Sequence, residues 1–240
     1  MPIKAVTFDL DDTLWAIAPV IERAERLVHE WFERRYPRLA LRYGVDAMRA
    51  LRTDVARRNP DAAHDLGFLR RETFRIAALE CGYDASAADG AYALFMTARH
   101  DLTPFDDVLP VLDGLRRRYR LGALSNGNAD LRRLGLGAYF HFALSAHGVG
   151  RAKPHRAMFE RACAAAGARP EEIVHVGDHP EHDVQGAARA GLRTVWVNRD
   201  ARPWERGRRP DAEITGLHDL EAVLQRFGAG SGADRRVPGS

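Results

Sequence analysis

The chain is nearly devoid of lysine. Lys4 and Lys153 are the only two among 36 cationic residues, and all the others are arginine. Any site that needs a compact ammonium instead of a planar guanidinium fork therefore has two candidates. Cysteine is equally sparse: Cys81 and Cys163 lie far apart without CxxC spacing. That argues against a disulfide framework or a zinc ribbon and fits small apolar residues in a reducing compartment. No apolar run approaches the roughly 20 residues of a membrane-spanning helix, and no charged segment precedes a long apolar one at the N-terminus. A soluble, cytoplasmic protein is expected. A strong charge of one sign is also missing, because the net charge is only +3 and the arginines are spread among 33 acidic residues. Neither nucleic acid nor a membrane surface is an expected partner.

What remains is the composition of an ordinary globular protein, 240 residues with 45% apolar and 29% charged, long enough for one large α/β domain or a core with an insert. Ile3 to Phe8 reads as a buried strand. From Val20 the apolar residues recur at three and four positions through Ala24, Leu27, Val28 and Trp31, a helix that should end near Tyr36-Pro37. Further helices are predicted over 46–58, 68–81, where Gly82 stops the pattern, and 86–100. Four helices in a row over 16–101 predict a helical insert, with Trp31, Phe32, Phe68 and Phe74 in its core. A helix over 108–118 then leads into a strand over 119–125. Strands over 141–145, 173–176 and 194–197 alternate with helices over 155–166 and 183–190. Such alternation predicts an α/β fold, a doubly wound parallel sheet whose core comprises 1–15 and 102–227. After Phe227 the sequence turns Gly-, Ser- and Arg-rich, which predicts a flexible tail over 228–240.

The chemistry concentrates at strand ends. Asp9, Asp11 and Asp12 follow the first strand within four residues, and such crowded acids call for a cation among them. In a doubly wound sheet the other strand ends should open onto the same crevice. One carries Ser125-Asn126-Gly127-Asn128, a hydroxyl and backbone N–H groups suited to phosphate oxygens. Another carries Gly177-Asp178, with Asp183 five residues on. Between them stands Lys153, one of the two lysines.

Asp9-Leu10-Asp11-Asp12-Thr13, Ser125-Asn126-Gly127, Lys153-Pro154 and Gly177-Asp178 with Asp183 resemble, in order, the four motifs of the haloacid dehalogenase superfamily. Over Ser125 to Ala129, Leu134 to Phe140 and His175 to Asp178 the chain further resembles bacterial phosphatases of flavin mononucleotide and 5-amino-6-(5-phospho-D-ribitylamino)uracil. The resemblance implies a Rossmann-like core with an inserted cap and a Mg²⁺-dependent phosphomonoesterase acting on a small phosphate ester, as monomer or homodimer. It makes Asp9 the nucleophile and Asp11 the acid and then base. Mg²⁺ would be held by Asp9, Asp11, Asp178 and Asp183. Ser125 and Asn126 would hold the phosphoryl group, and Lys153 would neutralise charge between nucleophile and phosphate. Specificity is expected from the cap, with Trp15 either stacking on a substrate ring or packing the hinge. Asp12 occupies a position where the family tolerates Gly or Asp and is assigned no catalytic part.

His179 and His182 depart from the family's commoner residues there; with hard oxygen ligands nearby they are expected to be loop residues or donors behind the metal ligands. The Arg202–Arg209 segment is read as a solvated loop. Two other readings stand beside the phosphatase. A 2-haloacid dehalogenase uses the same nucleophile, but lacks the second acid and needs no metal. A phospho-accepting receiver is about half this length and orders its residues differently.

Overall fold

The computed structural model describes residues 1–205 and 207–229. Six strands form one sheet: β1 (Ala5–Phe8), β2 (Arg120–Ser125), β3 (Phe142–Ser145), β4 (Ile173–Gly177), β5 (Arg193–Val197) and β6 (Ala212–Ile214), in the order β3-β2-β1-β4-β5-β6. Every neighbouring pair is parallel. All residues of β1 and β4 are buried, which explains why their sequences are apolar apart from Thr7 and His175, since helices cover both faces of a parallel sheet. The chain runs outward from β1 to β2 and β3, then returns to the other side of β1 as β4. That reversal is the topological switch point, where the carboxyl ends of neighbouring strands leave a crevice.

By its internal contacts the chain divides into two compact units. One joins Met1–Trp15, Pro104–Asn126 and the chain from Gly135 onward; the other joins Ala16–Thr103 with Gly127–Leu134. The helical unit holds α1 (Ala18–Arg35), α2 (Pro37–Arg42), α3 (Val45–Arg58), α4 (Leu66–Glu80) and α5 (Ala87–Arg99). Four of these match the sequence periodicity, and α2 is an addition: Pro37 takes a first-turn position, so the chain stops one helix and starts another there. Val28, Phe32, Phe74, Ala77, Ala91 and Phe95 build the core of this unit. Trp31 packs at its edge. Phe68, expected in that core, is 39% exposed; it lies in the first turn of α4, where its N–H is capped by Asp65. Gly127–Leu134 also differs from expectation, since Asp130 N–H donates to His100 Nε2 and Asn128 Nδ2 reaches the Met96 sulfur.

The sheet unit carries α6 (Val108–Leu115), α7 (Ala146–Val149), α8 (Arg156–Ala166), α9 (Gly186–Arg189) and α10 (Leu220–Ala229). Met158, Phe159 and Ala162 of α8 pack with Ala5, Leu124, Ile173 and Leu192. Gly122 is required for close approach, because a Cβ there would lie 2.2 Å from the Phe142 ring. The helix expected over 183–190 is a wide π-type turn over Pro180–Gln185 that continues as α9. Three elements, β6, α7 and α10, had no counterpart in the sequence reading. Of the expected tail, Gly228 and Ala229 end α10, while residues 230–240 lie outside the described residues, as does Arg206 in the arginine-rich loop.

Candidate active site

Asp9 follows β1 directly and its N–H donates to Val176 O of β4, so the acid is delivered at the switch point. The loop after it is closed by backbone bonds, with Leu14 N–H on Leu10 O and Asp12 N–H on Trp15 O. Asp12 adopts φ +61°, the left-handed region that favours Gly and admits Asp or Asn. The geometry thus gives a backbone reason for the residue type at this position. Trp15 is fully buried, and its indole N–H donates to Asp11 Oδ1 at 2.8 Å. To stack on a substrate ring the indole would have to leave that bond.

Lys153 arrives from the loop between α7 and α8 and is locked at its backbone. Its N–H donates to Asn126 Oδ1 at 2.7 Å and its carbonyl accepts from Asn126 Nδ2 at 2.9 Å. Asn126, expected at the phosphoryl group through its N–H, therefore also fixes the lysine through its side chain. The Lys153 ammonium donates to Asp9 Oδ1 at 2.5 Å and Asp183 Oδ1 at 2.6 Å. Lys4, the other lysine, makes an ion pair with Glu172 and is half exposed. Ser125 is buried at the end of β2, beyond the registered pair Phe8 and Ala123.

Asp183 sits inside the π-type turn with three donors around it. Its Oδ1 lies 2.6 Å from Lys153 Nζ and 3.0 Å from His175 Nε2, and its Oδ2 accepts the His179 N–H at 3.0 Å. A Cβ on residue 177 would lie 2.3 Å from Asp183 Cγ, so Gly177 is what lets this carboxylate close against the strand. Asp178 has its carbonyl held by Trp196 Nε1 at 2.7 Å and Oδ1 faced by Thr13 Oγ1 at 3.4 Å. Arg202 Nη2 approaches its Oδ2 at 3.8 Å. His179 uses Nδ1 to accept from the Glu181 and His182 N–H groups, and its ring stacks on His182 at 3.8 Å.

The charges are strongly perturbed. Burial raises Asp9 well above the usual carboxylate range, with Asp183 and Asp178 adding to it and Lys153 opposing. Burial, then the charges of Asp183 and Asp12, push Asp178 up to about 7. Asp183 runs the other way: burial opposes its ionisation, but Lys153 and His175 hold its carboxyl well below the usual range. Burial likewise works against the Lys153 ammonium, yet Asp183 and Asp9 hold it above its ordinary value. Carboxylate oxygens of Asp9, Asp178 and Asp183 lie within 4.8 Å of one another. This all-oxygen set is the type of donor cluster that suits a hard divalent cation.

Thr13, His175, Trp196 and Arg202 were given no role at the site by the sequence, although Thr13 and His175 lie within the motifs. His175 carried a further signal, as a lone polar residue inside the buried run Ile173-Val174-His175-Val176.

Comparison with known proteins fits this geometry. The family described as "Hydrolase: haloacid dehalogenase-like hydrolase" matches residues 3–191. The 5-amino-6-(5-phospho-D-ribitylamino)uracil phosphatase YigB of Escherichia coli is 34% identical over 230 residues, 92% of this chain and 96% of that one. A glyceraldehyde 3-phosphate phosphatase of Methanopyrus kandleri is 32% identical, covering 94% and 98%. Among solved structures, one described as a 2-haloacid dehalogenase from Pseudomonas syringae superposes with a TM-score of 0.89 at 41% identity, over 94% of this chain and 99% of that one.

Proposed function

Because this chain belongs to the haloacid dehalogenase-like hydrolases, we propose that it hydrolyses small phosphate monoesters through a phosphorylated Asp9. The observation that carries the reading is the pairing of Asp9 with a buried ammonium, Lys153 Nζ at 2.5 Å, beside two further carboxylates. Three acids against one lysine are an unfavourable surrounding for an anionic substrate unless a cation joins them. Asp9 and Asp178, with Asp183, would hold Mg²⁺, which when bound supplies the positive charge that lets a phosphate dianion approach.

The chain's own groups account for the remaining steps. An Asp9 carboxylate oxygen attacks phosphorus as the bond to the ester oxygen breaks, and Asp11 gives its proton to the departing alkoxide. Asp11 then takes a proton from water, whose oxygen attacks phosphorus and releases phosphate and free Asp9. The Trp15 indole N–H on Asp11 Oδ1 orients that carboxyl. Lys153 lowers the repulsion between nucleophile and phosphoryl oxygens, and Ser125 with the Asn126 N–H binds those oxygens. The substrate class is a phosphorylated small metabolite, with flavin mononucleotide and 5-amino-6-(5-phospho-D-ribitylamino)uracil first in order, the latter because YigB is named for it.

The likeness to a structure described as a 2-haloacid dehalogenase favours a second reading, displacement of halide by Asp9. A panel of phosphate esters with Mg²⁺, run beside 2-chloropropionate without metal, separates the two. Phosphate release that falls at least about 10³-fold in Asp9→Asn is the expected result. Chloride release without metal, in the absence of any phosphatase activity, would overturn the proposal.

A further inference from the structure

Thr7 of β1 and His175 of β4 form a register pair on the two strands that deliver Asp9 and Asp178. Both are buried, and their side chains meet, Thr7 Oγ1 lying 2.9 Å from His175 Nδ1. On its other side the imidazole presents Nε2 to Asp183 Oδ1 at 3.0 Å, the same oxygen that accepts from Lys153. An ionised carboxylate only accepts, so Nε2 carries a proton. In a neutral imidazole Nδ1 then carries a lone pair and needs a donor, and Thr7 Oγ–H faces it. The alternative acceptor for that hydroxyl, Val174 O, is farther at 3.4 Å. Phe159 fixes the ring plane, packing edge-on at 5.4 Å between centroids.

We propose that Thr7 and His175 are positioning residues: Asp183 favours the proton on His175 Nε2, the Thr7 hydroxyl locks that tautomer by donating to Nδ1, and His175 holds Asp183 in the rotamer that keeps Lys153 against Asp9. The proposal rests on the functional reading above for its kinetic consequence, but its geometry stands apart from it. A carboxylate that lost the imidazole could rotate about its Cβ–Cγ bond and draw the ammonium with it. Asp183 would then hold Lys153 away from the nucleophile. Because Thr7 and His175 touch neither Asp9 nor Asp11 in the hydrogen-bond network described, their loss should slow the chemical step more than it weakens substrate binding.

The test uses the full chain with Mg²⁺ and p-nitrophenyl phosphate. Thr7→Val keeps the volume and removes the hydroxyl; it should lower kcat by about 5- to 10-fold with KM within about twofold, and Thr7→Ser should restore kcat. His175→Phe should lower kcat by about 10- to 100-fold, and His175→Gln, which keeps an N–H near the Nε2 position, should recover most of it. Long-range ¹⁵N–¹H correlation spectra should show Nε2–H in the wild type and Thr7→Ser, and a tautomer mixture in Thr7→Val. An Nδ1–H tautomer in the wild type overturns the proposal. So does a Thr7→Val protein that loses thermal stability while keeping its kcat, since that marks a purely structural role. A wild type inactive on every phosphate ester sinks the functional reading alone. In that case the tautomer spectra decide this proposal: a change confined to Thr7→Val supports it, and any other pattern refutes it.

Discussion

The acids at the site have been driven apart by their surroundings, and their protons should report it. Burial and neighbouring carboxylates raise Asp9, and raise Asp178 to about 7, whereas in an unfolded chain both ionise near pH 3.9. Between about pH 4 and 7 the native state therefore binds more protons than the unfolded state, and stability falls as pH rises. Asp183 has the opposite sign. Burial opposes its charge, but Lys153 and His175 hold its carboxyl low, so its contribution is present above about pH 4 and is lost only below it. Lys153, raised by Asp183 and Asp9 against the effect of burial, adds nothing that changes in this window. With chelator present, the melting temperature should drop from pH 5 to pH 7.5. Mg²⁺ should reduce the drop, because it binds the ionised carboxylates and competes with their protons. Melting curves at four or five pH values, with EDTA and with Mg²⁺, check this. A melting temperature that climbs with pH in EDTA would contradict the raised values.

At the scale of elements, two backbone positions make sharp predictions. Asp12 at φ +61° tolerates Gly, whose easier left-handed conformation is offset by the greater freedom of its unfolded chain, so Asp12→Gly should change stability by less than about 1 kcal/mol. Asp12→Val, β-branched in the same conformation, should cost about 1–2 kcal/mol. Urea titration of both variants measures the contrast, and equal midpoints would refute a backbone role. Gly177→Ala would drive a methyl group to 2.3 Å from Asp183 Cγ and displace the carboxylate that holds Lys153. It should reduce kcat at least about 10-fold, and a fully active Gly177→Ala enzyme would show that Asp183 need not sit where it does.

The same scale explains what was legible. The strands β1, β2 and β4 read clearly because burial on both faces writes them as mostly apolar runs that end in polar clusters. β6 did not, being three residues with Glu213 at its centre. The turn over Pro180–Gln185 also escaped, because its π-type spacing follows neither helical nor strand periodicity. Asp9, Asp178 and Asp183 could be named from strand ends and Lys153 from its rarity and its motif, but their meeting at Asp183 could not. Sequence spacing does not reveal that one carboxylate serves Lys153 from a distant loop and His175 from mid-strand at once.

For the whole molecule, the chain leaves the sheet unit after Trp15 and re-enters it at Pro104, so the loop that follows Asp9 depends on ties at those two points. Both crossing points are tied down within that unit. Phe105 N–H donates to Leu14 O, and Arg199, just past β5, donates to Thr13 O at 3.2 Å and to both Asp107 oxygens at 3.0 Å. The guanidinium also stacks on Phe105 at 3.9 Å. Asp107 accepts the Leu217 N–H as well, and although burial opposes its charge, Arg199 and that N–H hold its carboxyl low. Arg199→Met would leave a carboxylate only 15% exposed without its partner. Breaking a buried pair costs about 3–5 kcal/mol, and the residual exposure here reduces the expectation to about 2–3 kcal/mol. Lysine cannot span both Asp107 oxygens and Thr13 O, so Arg199→Lys should recover less than half of that loss. The helical unit has a separate core around Phe32, Phe74 and Phe95, so the damage should be local. Hydrogen exchange should show lost protection in β1, β4 and β5 while α4 and α5 keep most of theirs. Equal loss in both units would instead mean that the two cores unfold as one and that the Arg199 tie stabilises the whole chain.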